Sequence, residues 1–175
     1  MTTTRPTQGT WTLDPSATTI VVTAKKLGVF TIPASLNVVS GTIEIGADHQ
    51  VTSVEIVADA ASYASKNAKR NEHIVGSDFL DAEMHPTIVF RSNHVTPGDA
   101  GLVSNGTVTV KGQATAIDVT VSNVDVADAA GSFVAAATID RNAIGVNKLP
   151  SAVIGRQLDI TVNASASLSL SLIHI

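Results

Sequence analysis

Residues 106–121, GTVTVKGQATAIDVTV, set the pattern for the whole chain. Val108 and Val110 alternate with Thr107 and Thr109. Lys111-Gly112 then breaks the run, and Ile117, Val119 and Val121 resume the alternation against Asp118 and Thr120. Successive side chains leave a strand on opposite faces, so an apolar period of two built from β-branched residues marks a half-buried strand. The same reading extends upstream through Ile20, Val22 and Ala24; Ile43 and Ile45, with Thr42 and Glu44 opposite; Val54, Ile56 and Ala58; and Ile88 and Phe90. Downstream, Val124 and Val126 hold the phase opposite to Val121, so the Ser122-Asn123 slip predicts a bulge or bend. Phe133, Ala135, Ala137 and Ile139 come next, and Leu158, Ile160, Val162 and Ala164 end the series. Turn signals at Asp14-Pro15, Gly46-Ala47-Asp48, Pro97-Gly98-Asp99, Lys111-Gly112 and Ala130-Gly131 separate the runs. One helical stretch is expected, from about Asn67 to Val75.

Many strands at this spacing, without alternating helices, indicate an all-β antiparallel barrel or sandwich. Closure removes exposed strand edges, which favours a barrel. About eight strands enclose a space just wide enough for side chains or one small ligand. The expected inward set is Ile20, Val22, Ala24, Ile56, Phe90, Val108, Val119, Phe133, Ala135, Ala137, Ile139 and Ile160. The small members Ala24, Ala135 and Ala137 leave room that a ligand-free core would normally fill. A barrel that flattens and packs on itself is the alternative left open by the pattern alone.

The 175 residues fit one domain, with a flexible segment at 1–9, a barrel at 10–168 and a tail at 169–175. Hydrophobic residues make up 44% and charged residues 15%, which excludes a disordered chain. The net charge of -4 gives no general attraction to nucleic acid. There is no cysteine, so disulfide and thiol chemistry are excluded. No run reaches the roughly 18 apolar residues of a membrane span. MTTTRPTQGTW, 1–11, lacks the apolar core of a secretory signal, which sets the expectation of a cytoplasmic protein. LSLIHI, 170–175, is also the translation of CTGTCTCTTATACACATC, a transposon end used in DNA sequencing libraries, and reads as non-native read-through.

Few residues suggest chemistry. Arg70, His73, Asp78, Asp81, Glu83 and His85 cluster in RNEHIVGSDFLDAEMH, 70–85, but their intervals match no metal motif. A solvated helix and turn, capped by Ser77 or Asp78, accounts for them, so no metal or cofactor is expected. No Gly-x-Ser-x-Gly elbow supports a serine hydrolase, and no Gly-rich loop followed by Lys-Ser or Lys-Thr supports a phosphate site. Lys25, Lys26, Arg141 and Lys148 could form an anion site at a barrel mouth; an ordinary solvated rim explains them equally. Trp11, large and at a strand start, is expected to close one end.

WTLDPSATTIVVTAKKLGV (11–29), GTIEI (41–45), RNEHIVGSDFLDAEMHPTIVFRS (70–92), GTVTVKGQATAIDVTV (106–121) and IDRNAIGV (139–146) together resemble, in the expected order, the YceI-like family. Each motif is weak, but the five in series are specific, and they cover about residues 10–168. The resemblance implies a lipocalin-like antiparallel barrel with an elongated cavity for a long isoprenoid lipid, of polyprenyl or quinone type, and no catalytic residues. The inward set then becomes the cavity lining, and Lys26 and Arg141 become candidates for contacting an anionic head group. The sequence departs from the family pattern at Lys26, where His is usual, at Asn71 for Asp, and at Ala143-Ile144 for Asp-Phe. Large aromatic residues around Leu36 and Val39 are missing too, so the cavity should be wider or differently shaped. The expectation is non-enzymatic binding, storage or transport, with a homodimer left open. Its rivals are a lipid-related hydrolase using His73, His85 and Asp78, and a structural domain with a filled core.

Overall fold

The two runs of residues 106–121 pair as adjacent antiparallel strands, with Gly106 opposite Ile117 and Ser104 opposite Val119. The computed structural model describes residues 6–99, 101–146 and 154–169. Its strands are β1 (Gly9–Leu13), β2 (Thr19–Lys26), β3 (Phe30–Ile45), β4 (Val51–Ala64), β5 (Thr87–Gly98), β6 (Gly101–Val110), β7 (Gln113–Ala127), β8 (Ala130–Asp140) and β9 (Gln157–Leu168). A single helix among the described residues, α1 (Ala68–Val75), joins β4 to β5.

The antiparallel sheet runs β3-β2-β9-β8-β7-β6-β5-β4 and closes through β4 and β3. β1 and β2 share one position in this ring. β1 lies against the second half of β3 and the end of β9, whereas β2 lies against the first half of β3 and the start of β9. The result is a closed eight-stranded barrel. The break between β1 and β2 falls at the expected Asp14-Pro15 turn. The Asp14 carboxylate accepts from the Ser16 amide and hydroxyl, and the Asp14 N–H donates to the Ser165 carbonyl.

The predicted slip in β7 is a bulge. Register shifts between Ser122 and Asp125, Asn123 takes φ 52°, and Val126 returns to the inward side opposite Gly131. One turn lies elsewhere than expected. The β7–β8 reversal uses Asp128-Ala129, with Asp128 at φ 56°, and Ala130-Gly131 already belong to β8. Aspartate tolerates that left-handed geometry better than alanine does. The helix starts as expected: Asn67 caps it by accepting from the Arg70 amide. Asn71 ties α1 to the end of β4, accepting from the Ser65 amide and hydroxyl and donating to its carbonyl. An aspartate at 71 could not make the last of these bonds.

Gly9 already opens β1, His49 Nδ1 contacts the Pro6 carbonyl, and the Ser169 N–H donates to Thr10, so both ends of the described chain join the barrel wall. Residues 1–5 and the suspected read-through 170–175 lie outside the described residues.

Candidate functional site

Register alone puts the expected inward residues on one face. Ile20, Val162, Ala135 and Val121 lie opposite one another in turn across β2, β9, β8 and β7, and Ile56, Phe90 and Val108 do the same across β4, β5 and β6. Inside lie two apolar chambers stacked along the barrel, and no described residue borders both.

The upper chamber, beneath α1, measures about 460 Å³. Val22, Ala24, Val108, Ile139 and Ile160 line it. So do Phe79 and Leu80, buried residues from the turn after α1, and Ile144, Val146 and Ile154 from the β8–β9 connection. Asn67, Lys69, Arg70 and His73 of the α1 region supply most of its polar border. Tyr63 also lines it, and burial pushes its phenol above the usual range against the opposing pull of Arg70. That hydroxyl stays protonated and can donate at neutral pH. The His73 ring packs edge-on to Phe79, with centroids 4.7 Å apart, and its Nε2 lies 4.0 Å from the exposed Asp78 carboxylate. Among the described residues the lining includes no Ser, Thr or Cys. His85 is not part of the lining; it lies beside Gly112 at the β6–β7 turn.

The lower chamber measures about 190 Å³ and is bordered by Ile56, Phe90, Val119, Phe133 and Ala135. Trp11 borders this chamber, almost fully buried, with its indole N–H donating to the Thr7 carbonyl. Phe90 lies where it does because position 106 is glycine: a Cβ there would stand 2.8 Å from the Phe90 ring and 2.4 Å from the Arg91 carbonyl oxygen. Ser104 also borders this chamber, and its buried hydroxyl has no hydrogen-bond partner among the described residues. Ile20 and Ala137 border neither chamber. Ile20 packs with Leu36, Val38 and Ala58 as a waist between the two linings, while Ala137 packs against the cluster that holds Val108, Ile117 and Ile139.

The two expected head-group residues part ways. Lys26 is exposed at the end of β2, one step beyond Ala24 on the same face, and does not line the chamber. Arg141 borders the upper chamber but is only 1% exposed. Its Nε donates to the Gly155 carbonyl, Nη1 to the Val146 carbonyl and Asn142 Oδ1, and Nη2 to the Ile154 carbonyl. Burial lowers its pKa from the usual value, with Asp140 pulling the other way. The guanidinium thus ties Val146 to Ile154 and Gly155 beside the chamber. Among the described residues no three His, Asp or Glu side chains converge as a metal site.

Alternation could not reveal Tyr63, Phe79, Leu80, Ile144 or Ile154 as lining. The first follows the β3–β4 register shifts, and the others belong to a helix turn and a loop. Motif rather than period was the available signal: Ser-Asp-Phe at 77–79 and Ile-Gly-Val at 144–146.

Residues 11–166 match the model of the YceI-like domain. No curated protein matches the chain significantly. Among solved structures, BcnA of Burkholderia cenocepacia superposes with a TM-score of 0.75 at 20% identity, covering 89% of this chain and 99% of that one. A YceI protein of Campylobacter jejuni gives 0.63 at 16%, with 74% and 80% covered. A polyisoprenoid binding domain from Saccharophagus degradans, implicated in plant cell wall breakdown, gives 0.65 at 10%, with 91% and 98% covered.

Proposed function

The chain belongs to the YceI-like family, and from that premise we propose that it holds a long isoprenoid chain in its barrel and performs no chemistry on it. The observation that carries the reading is the pair of apolar chambers stacked along one axis, the larger about 460 Å³ and bordered by polar side chains at the α1 end. Ligand pockets commonly span roughly 300–1,000 Å³. A chain of methylene and methyl groups entering such a space gains about 0.8 kcal/mol per buried CH₂, which across several isoprene units outweighs the cost of immobilising it. A polar head would remain at the α1 end, near Lys69, Arg70 and the protonated Tyr63. The likeness in fold to a polyisoprenoid binding domain supports the choice of ligand.

The test is mass spectrometry of the organic extract of purified protein, followed by titration of the delipidated protein with a fluorescent prenyl probe. A prenyl lipid in the extract and saturable, one-to-one probe binding are expected. An empty extract together with no probe binding would sink the proposal and leave a structural barrel.

A further inference from the structure

The β2–β3 hairpin ends in Leu27-Gly28-Val29-Phe30, and its three large residues face water. Leu27 is 56% exposed, Val29 75% and Phe30 61%. Single exposed apolar residues need no explanation, but three side by side on a projecting tip form a patch. Local folding does not account for them. Leu27 and Gly28 take φ 54° and 74°, and the Val29 N–H closes the turn on the Lys26 carbonyl at 3.3 Å. Asn, Asp or Gly adopts the left-handed conformation at the first of these positions more cheaply than Leu. Leu27 thus occupies a disfavoured backbone position without gaining burial.

Charge distinguishes this end of the barrel from the other. The tip carries Lys25 and Lys26 and no acidic residue, and Lys69 and Arg70 border the nearby chamber. Acidic groups at this end are Glu72, Asp78, Asp81 and Glu83, from α1 and the turns after it, and Asp140 at the end of β8, which is paired with Arg156. The turns at the far end carry Asp48, Asp99 and Asp128, with no Lys or Arg among their described residues. A chain of net charge -4 therefore presents a cationic, apolar tip. That tip is continuous with the mouth: Ala24 and Ile32, at the base of the hairpin, line the upper chamber.

We propose that this hairpin tip docks on an anionic lipid bilayer, inserting Leu27, Val29 and Phe30 among the headgroups while Lys25 and Lys26 meet their phosphates, so that the chamber mouth faces the membrane. Apolar side chains flanked by lysine are the combination that interfacial binding uses. The purpose of the contact rests on the lipid-binding reading, but its chemistry does not.

Vesicle sedimentation tests it. Wild type should pellet with mixed phosphatidylcholine–phosphatidylglycerol vesicles and much less with phosphatidylcholine alone. The Leu27→Ser, Val29→Ser, Phe30→Ser triple variant and the Lys25→Gln, Lys26→Gln pair should each weaken partitioning by roughly tenfold or more. A Phe30→Trp variant should gain blue-shifted emission on the mixed vesicles, whereas wild-type emission, from Trp11 alone at the opposite end, should not move. Prenyl-probe binding without vesicles should be unchanged in all variants. Its absence in wild type would remove the lipid-binding reading while leaving the docking result standing. Equal pelleting of wild type and triple variant overturns the proposal, as does equal pelleting on neutral vesicles. A dimer that depends on Phe30, with no vesicle binding, overturns it in favour of a second copy as occupant.

Discussion

Arg141 places a full positive charge where only 1% of the residue meets water. Such burial is tolerable only when the donors are satisfied, and here Nε, Nη1 and Nη2 reach three backbone carbonyls around the β8–β9 connection. A lysine would keep the charge but lose the planar fork that addresses several acceptors at once. Arg141→Lys is therefore expected to cost about 3 kcal/mol, a fall of roughly 6–12 °C in melting temperature for a domain of this size. The relative affinity for a prenyl diphosphate over the matching alcohol should stay the same. If that preference collapses while the melting temperature holds, the guanidinium serves a ligand and not the loop. The sequence shows Arg141 one step past an inward apolar run, which reads as a mouth position. What it cannot show is that residues 142–146 and 154–155 fold back over the side chain, because that closure depends on contacts outside the strand period.

The interrupted β1–β2 position shows what a local turn contributes to an element. The Asp14 carboxylate is held below its usual value of 3.8, first by the Ser16 hydroxyl and then by the Ser16 amide. A lowered folded-state pKa means the carboxylate form favours the native turn. That contribution is present above the usual value and is lost as pH falls through the lower, folded one. Asp140 is shifted the same way, chiefly by the Asn142 amide. Between neutral pH and about pH 3 the wild-type melting temperature should fall more steeply than that of Asp14→Asn, which has no carboxylate to protonate. Parallel curves would show that the turn carries no such linkage. Asp14-Pro15 was legible because turn chemistry is local, and so was the Ser122-Asn123 bulge, because it inverts the phase of visible valines. The register shifts of β3 against β4 near Asn37 and Ser40 were not. Val38 and Val39 are adjacent and apolar, and which one faces inward, Val38 in the event, is decided by the partner strand.

At the scale of the whole barrel, the eight-stranded wall and its inward face follow from alternation plus closure, but the division of the interior does not. The waist arises where Ile20, Val38 and Ala58 pack from β2, β3 and β4, and no single strand's pattern announces it. Whether a lipid crosses that waist decides how long a chain the protein can hold, and three alanines separate the cases. Ala24 borders the upper chamber, Ala135 the lower, and Ala137 borders neither, packing against the cluster of Val108, Ile117 and Ile139. A phenylalanine at 137 meets a filled core and should cost roughly 1–3 kcal/mol by overpacking. At 24 or 135 the ring enters open space and should leave the delipidated barrel about as stable as before. Ala24→Phe should weaken a short prenyl alcohol and a long one alike, since both must occupy the chamber next to the mouth. Ala135→Phe should weaken only the long one, because only its tail reaches the lower chamber. Melting temperatures and both affinities should be measured on the same delipidated preparations. An Ala135→Phe variant that binds the long chain as wild type does would mean that the lipid stops at the waist, with the upper chamber setting the length limit by itself.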